Sequence, residues 1–373
     1  MKRYALMILF LICLIATSLS AQSTQGKNIA LLSYGKIRYD SMLDLNVFHT
    51  GAPMHALLEE MNPSRYTLWT SAREAGILKF SCHQGDYNTG TVIHENGSVG
   101  GYYANGKLLE LCDGILKQDI TPQIETTRIM NFENLTETAV RNFLQNWGNW
   151  IETNHPNKFV IWNPACEFNH PDGDPGWGAH GHDWSWKIDY RDFNPQMKMI
   201  RRIRDELGLQ DMILICIHAT PKWSFLQNDD WKSNNWLTGF RGIEEYLEGF
   251  AQGDIFGLSH YKAYKNPVYN PNNMTWQETL QLGWKRCKII WEKVCSQAGK
   301  TLPFFFVEFS LGSVRKYDKT PIWKEGVTYV YTEMVQNNEW VKGLLWYCGD
   351  RIEPDAMEEI VRLGKEYEGY PSA

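Results

Sequence analysis

Downstream of Gly76 the chain alternates short, almost wholly apolar runs with longer stretches in which apolar residues recur every three or four positions. The first pattern suits strands buried on both faces and the second suits helices laid over them. The alternation therefore predicts parallel strands joined by crossover helices. The strand candidates are Ile77 to Cys82, Ile120 to Thr126, Phe159 to Asn163, Met212 to His218, Ile255 to His260, Pro303 to Glu308 and Gly343 to Cys348. An earlier strand, either Asn28 to Tyr34 or Leu45 to His49, completes a set of eight.

The helices carry their own signals. Val140, Phe143, Leu144, Trp147 and Ile151 fall on one helical face, and His155-Pro156 stops that helix. Asn194-Pro195 predicts an N-cap and a first-turn proline ahead of Ile200, Ile203 and Leu207, with Gly208 just past the end. Thr275 and Glu278 form a capping box before Leu280, Trp284, Cys287, Trp291 and Val294, and Gly299 closes that helix.

Such a repeat forms either a closed barrel or an open doubly wound sheet. An open sheet normally carries a Gly-rich phosphate loop directly after its first strand. Here G-x-G-x-x-G occurs only at Gly176 to Gly181, inside the long loop after the fourth strand candidate, and G-x-x-x-x-G-K only at Gly101 to Lys107, where Leu108 replaces the required Ser or Thr, so neither stands where that fold needs it. The expected fold is therefore an α/β (β/α)8 TIM barrel, a single domain with a long loop after the fourth strand. Its active site is expected at the carboxyl ends of the strands.

The polar residues ending the apolar runs are His83 and Asp86 at the second strand, Glu125 and Arg128 at the third, and Asn163 with Glu167 at the fourth. His218 ends the fifth, His260 and Tyr261 the sixth and Glu308 the seventh, while Trp346 lies on the eighth. Glu308 follows Phe304-Phe305-Phe306-Val307, so apolar a run that a terminal carboxylate needs a function or a partner. Glycoside cleavage needs two carboxyl groups flanking the bond, one protonated and one ionised. The fourth and seventh strands face each other across an eight-stranded barrel. Glu167 and Glu308 on their ends suit the separation of about 5 to 5.5 Å that leads to retention. Glu125 is the rival carboxylate, and Arg128 nearby suggests an ion-paired support.

In order and spacing, Trp162-Asn163-Pro164-Ala165-Cys166-Glu167-Phe168-Asn169, Ser259-His260-Tyr261, Phe306-Val307-Glu308-Phe309 and Leu345-Trp346 resemble the fourth, sixth, seventh and eighth strand ends of clan A retaining glycoside hydrolases. The resemblance implies that Glu167 is the acid/base and Glu308 the nucleophile, that Tyr261 hydrogen-bonds the nucleophile, and that Trp346 floors the sugar site. Two departures stand out. Cys166 precedes Glu167 where the clan carries Asn or His, and Lys79 is the nearest basic residue to the clan's strand-two Arg.

The loop from Phe168 to Phe193 hangs directly off Glu167 and holds His170, Asp172, Asp174, Trp177, His180, His182, Asp183, Trp184 and Trp186. It is expected to shape a cleft in which Trp177 and Trp184 stack on sugars, while His83, His218, His260 and Asn163 bind hydroxyls. A metal at His180-x-His182-Asp183 or Asp172-x-Asp174 is the other reading of the loop. A catalytic metal is not expected, because no H-E-x-x-H or EF-hand spacing is present.

Lys2 and Arg3 precede an apolar run from Ala5 to Ala16, and small residues follow at Ser18, Ser20 and Ala21, which is the pattern of a secretory signal over 1–21. Residues 22–373 are then the mature domain, secreted or periplasmic, with no membrane span left. Loss of Lys2 and Arg3 takes the formal charge from -6 to -8, so no basic surface invites nucleic acid. Eight cysteines become seven once Cys13 is removed, too odd a set for a disulfide framework. Sixteen tryptophans suit sugar stacking, although core packing accounts for about half of them. No G-x-S-x-G elbow occurs.

The expectation is a monomeric retaining glycosidase acting on a β-linked carbohydrate without a cofactor. Its alternatives are a carbohydrate-binding barrel without turnover and a metal-dependent hydrolase built on the strand-end histidines.

Overall fold

A computed structural model describes residues 28–32, 77–81, 91–117, 121–126, 132–165, 168–169, 188–220, 243–260, 273–311 and 322–346, together with most positions between 353 and 363. The barrel strands are β1 (Asn28–Leu32), β2 (Ile77–Ser81), β5 (Thr121–Glu125), β6 (Val160–Asn163), β7 (Ile213–Ala219), β8 (Ile255–His260), β9 (Phe304–Phe309) and β10 (Val341–Trp346). All neighbours pair in parallel, in the order β1-β10-β9-β8-β7-β6-β5-β2. Because β1 pairs with both β2 and β10, the sheet closes on itself. Two short strands, β3 (Val92–Ile93) and β4 (Val99–Gly100), form an antiparallel ribbon between β2 and β5. Of the two candidates for the first strand, the one beginning at Asn28 enters the barrel.

Helices α1 (Lys107–Leu116), α2 (Glu137–Asn154), α3 (Tyr190–Glu206), α4 (Leu247–Phe250), α5 (Trp276–Ala298) and α6 (Lys324–Tyr329) alternate with the strands. Helix α6 runs on into a π-helical stretch, Val330–Val335. The α5 capping box forms as its sequence predicts, and Gly299 takes the left-handed conformation that ends it, with φ 64°.

Helix α3 starts earlier than Asn194-Pro195 suggests. Asp189 caps it by accepting from the Arg191 amide, and Pro195 lies inside it. The Asn194 side chain is instead a brace to the next helical segment, accepting from the Gly249 amide and donating to the Glu245 carbonyl.

Strand alternation divides the core in two. Ile161, Cys216, Ile255, Phe305, Val307 and Leu345 pack together inside the barrel. The other face of β6, β8 and β9 meets the helices through side chains such as Trp162, Phe256, Phe304 and Phe306. Interior volume is shared between neighbours: a Cβ at Gly257 would lie 2.3 Å from Val307, and one at Gly343 would lie 2.6 Å from the Phe305 ring. Trp147, Trp162, Trp284 and Trp346 are all fully buried, so part of the tryptophan excess is core packing.

The amino-terminal end of the barrel is tied by charge. Arg204 of α3, with no exposed surface, holds Asp254 through two bonds of 2.5 and 3.1 Å, and Asp254 also accepts from the Ile215 amide at 2.8 Å. No helix of the described residues is long and apolar enough to cross a membrane.

Candidate active site

Towards the carboxyl ends of the strands the barrel interior turns polar. Gln123 and Glu125 are two apart on β5, as are Cys216 and His218 on β7 and Gly257 and Ser259 on β8. Period-two alternation therefore sends each pair to the same side. The Gln123 amide donates to Asn163 Oδ1 at 2.9 Å, forming the lower polar tier. Above it, His218 Nδ1 lies 2.7 Å from Glu125 Oε1, and His218 Nε2 lies 2.7 Å from Ser259 Oγ.

Glu308 completes the upper tier from β9. Its Cα is the register partner of Ser259, and its carboxylate, His218 and Glu125 all present polar atoms within 4.8 Å of one another. Glu125 and His218 have no exposed surface, and Ser259 and Glu308 retain 3% each. Carboxylates this deep persist only with hydrogen-bonding or charged company, which the His218 imidazole supplies to Glu125.

Glu308 reaches this position through a break in alternation. Phe305 and Val307 already point inward, so an unbroken strand would turn Glu308 towards the helices. The register slips between Leu258 and Ser259, where Leu258 pairs with Phe306 and Ser259 with Glu308. That extra residue on β9 is a bulge, a device that re-aims the next side chain.

Near the fourth strand, Thr126 fixes the chain as it leaves β6. Its amide and hydroxyl donate to the Asn163 carbonyl, the hydroxyl also bonds the Pro164 carbonyl, and Trp162 Nε1 donates to that hydroxyl at 3.1 Å. A few residues on, Phe168 stacks on Phe193 with ring centroids 3.9 Å apart, and the Asn169 side chain bonds both the amide and the carbonyl of Thr220. Glu167 itself lies outside the described residues, as do His83, Tyr261, Trp177, Trp184, Arg128 and the loop at 170–187.

Two of the expected sugar-binding residues face the other way. His260 is buried between sheet and helix, stacked on Phe309 at 5.4 Å, and a Cβ on Gly283 of α5 would come within 2.1 Å of its Nε2. It follows inward-facing Ser259 and so points outward. Trp346 likewise follows Leu345, which packs in the barrel interior. Its indole donates to the Tyr331 hydroxyl at 3.1 Å and sits edge-on to Phe309. Strand parity thus moves both from the barrel mouth into the layer beneath the helices. His218 and His260 stand on opposite sides of the barrel wall, so they do not converge on a common ion.

Glu125, His218 and Glu308 are close enough to face a common cation, but both ring nitrogens of His218 are already within hydrogen-bond reach of Glu125 and Ser259. Glu125, His218 and Ser259 form a hydrogen-bonded chain beside Glu308. The sequence presents Glu125 as the rival carboxylate or an ion-paired support and gives no role to Gln123 or Ser259. The available signal was the Gln-Ile-Glu alternation in β5, where two polar residues share the inner face of a buried strand.

No family model matches the chain, and no curated protein matches it. Among solved structures, the chain is similar to GH5_18 from Streptomyces cattleya in complex with GlcNAc, with a TM-score of 0.52 at 11% identity, covering 94% of this chain and 82% of that one. It also matches a GH5-4 broad specificity endoglucanase from an uncultured bacterium, with a TM-score of 0.47 at 11% identity over 82% of this chain and 84% of that one. The catalytic domain of a GH26 endo-beta-1,4-mannanase from Bacillus sp. JAMB-750 gives a TM-score of 0.44 at 13% identity over 78% and 76%. At such identities the likeness is one of fold: the chain is an α/β barrel of the architecture found in clan A glycoside hydrolases.

Proposed function

We propose that the chain is a retaining glycoside hydrolase that cleaves a β-linked poly- or oligosaccharide by double displacement. In this reading Glu167 first donates a proton to the leaving oxygen while Glu308 attacks the anomeric carbon. Glu167 then takes a proton from the water that releases the sugar from Glu308. The observation that carries the reading is the burial of Glu308 beside Glu125, His218 and Ser259 in the polar tier at the carboxyl end of the barrel, where barrel enzymes do their chemistry.

Residues 22–373 are read as one (β/α)8 domain with a long loop after β6. The domain is exported to the periplasm or beyond once 1–21 is removed, works as a monomer and uses no catalytic cofactor. Asn163, His83, Tyr261, Trp177 and Trp184 are the proposed sugar-contacting set; His218, with no exposed surface and both ring nitrogens engaged by Glu125 and Ser259, supports the site instead.

The test uses 2,4-dinitrophenyl β-glycosides and a panel of β-linked polysaccharides, with the product anomer followed by NMR. Release of the β-anomer first is expected, and Glu308→Gly should be inactive until azide is added, whereupon it yields the α-glycosyl azide. First release of the α-anomer, or chelator-sensitive turnover indifferent to Glu308, overturns the reading.

A further inference from the structure

We propose that Glu125, His218 and Ser259 form a positioning relay for Glu308, in which Glu125 holds His218, His218 holds Ser259, and the Ser259 hydroxyl fixes the orientation of the Glu308 carboxylate. The inference rests on the glycosidase reading for its use, but the relay itself is a property of the barrel and is tested without substrate.

The three residues come from β5, β7 and β8, each turned inward by alternation, and two contacts of 2.7 Å join carboxylate, imidazole and hydroxyl in that order. Ser, His and an acid in this sequence are also the parts of an acyl-transfer triad. Here the setting opposes that use. Ser259 is 3% exposed, and its register partner across the sheet is Glu308. A carboxylate beside an attacked carbonyl would repel the oxyanion that a triad enzyme must stabilise.

The same neighbour gives the chain a different task. A hydroxyl offers one proton and two lone pairs, so Ser259 bridges His218 Nε2 and the adjacent carboxylate when Nε2 carries a proton and donates to Oγ, which leaves the hydroxyl proton for Glu308. Glu125 fixes the ring from behind at Nδ1, so His218 cannot turn away. A nucleophile must hold its oxygen on line with the anomeric carbon, and a donor held rigidly to the carboxylate both orients it and favours the anion.

Among the described residues, the groups facing Glu308 can be named element by element. β5 brings Glu125, β7 brings His218 with Cys216 one tier below, and β8 brings Ser259, since its His260 faces α5. β10 brings no titratable side chain to that end, since its Lys342 stands near the start of the strand, and α5, with Arg286 and Cys287, packs outside the wall.

The experiment is a carbon-13 NMR titration of the whole chain labelled at the glutamate carboxyl carbons, with Glu308 assigned by its loss in Glu308→Gln. Ser259→Ala removes the donor and should raise the titration midpoint of Glu308 by about one unit, while Ser259→Thr, which keeps the hydroxyl, should restore it. Glu125→Gln removes a facing negative charge and should lower the midpoint by its charge alone, which confirms that the assigned signal is that of Glu308. A merely structural role for Ser259 predicts no movement in Ser259→Ala. An unmoved Glu308 signal in folded Ser259→Ala overturns the relay, as does stoichiometric labelling of Ser259 by a fluorophosphonate, which would make the serine a nucleophile. Glycosidase activity with an unmoved signal would remove the relay alone. A moved signal with no glycosidase activity would remove the proposed function alone.

Discussion

Arg204→Met removes one side of the charge cluster that ties α3 to the starts of β7 and β8. Arg204 is fully buried. Burial alone would pull its pKa down, but the hydrogen bonds and charges of Asp254 and Asp205 outweigh that and leave it raised. Besides its two bonds to Asp254, it reaches the Ile213 carbonyl at 2.8 Å and Asp205 at 2.7 Å. Methionine keeps much of the apolar stem, so the loss is mainly electrostatic. Removing one partner of a buried pair costs about 3 to 5 kcal/mol, because the other charge is stranded. Asp254 keeps 18% side-chain exposure and a second cation, Arg201, at 3.0 Å, which points to the lower end of that range. Unfolding a chain of 373 residues carries an entropy near 0.8 kcal/mol/K, so about 3 kcal/mol lowers Tm by about 4 °C. Calorimetry and urea unfolding should both register the change. Asp254→Asn added to Arg204→Met should cost little more, giving a coupling above about 1 kcal/mol in the double-mutant cycle. A single variant within about 0.5 kcal/mol of the parent, or strictly additive losses, would refute this account of the cluster.

Three further outcomes follow from local geometry. Thr275→Ala removes the hydroxyl that caps α5 and should cost about 1 kcal/mol in urea unfolding, whereas an unchanged midpoint would deny the capping box a role in stability. Gly283→Ala places a methyl against the His260 ring, 2.1 Å from Nε2 before relaxation, and should destabilise by about 1 to 3 kcal/mol. A smaller residue at His260 should relieve that clash, and failure to do so would contradict the placement of the ring.

Acid should unfold the protein through four carboxyl groups held below their ordinary range. Burial works against the anion at Asp205, but Arg201 and Arg204 outweigh it; Arg141 and Arg202 act on Glu206, the Thr275 amide on Glu278, and Arg362 on Glu359. Since folding lowers these pKa values, their contribution is complete above the unfolded values and is lost as pH falls through the folded ones. The urea midpoint should therefore hold above about pH 5 and decline below about pH 4. A flat profile down to pH 3 would contradict this.

Strand positions were largely legible in the sequence, because strands covered on both faces must be continuously apolar. Ile255–His260 matches its candidate run residue for residue, and β5, β6, β7 and β9 differ by a residue or so at an end. Helix limits followed where capping chemistry was local, as at Thr275 and Gly299. They failed at α3, where the pairing of Asn194 with Gly249 is set by tertiary contact and Asp189 supplies the cap instead.

The site was legible only as a set of strand ends. Sequence names the residue that ends each run, but not the face it takes, and one bulge reverses that face. Glu308 is inward because β9 slips against β8, while His260 and Trp346 fall on the outward parity of their strands. The link from Glu125 through His218 to Ser259 joins residues 93 and 41 positions apart, and nothing in any one segment announces it.

The central claim is that Glu308 becomes covalently bonded to the sugar during turnover. Incubation with 2,4-dinitrophenyl 2-deoxy-2-fluoro-β-glycosides, followed by proteolysis and mass spectrometry, reads that bond directly. A single fluoroglycosyl adduct on the peptide carrying Glu308, absent from Glu308→Gln, is the outcome expected here; an adduct on Glu125 or Ser259, or β-glycoside turnover that releases the inverted sugar and leaves Glu308 unmodified, would contradict it.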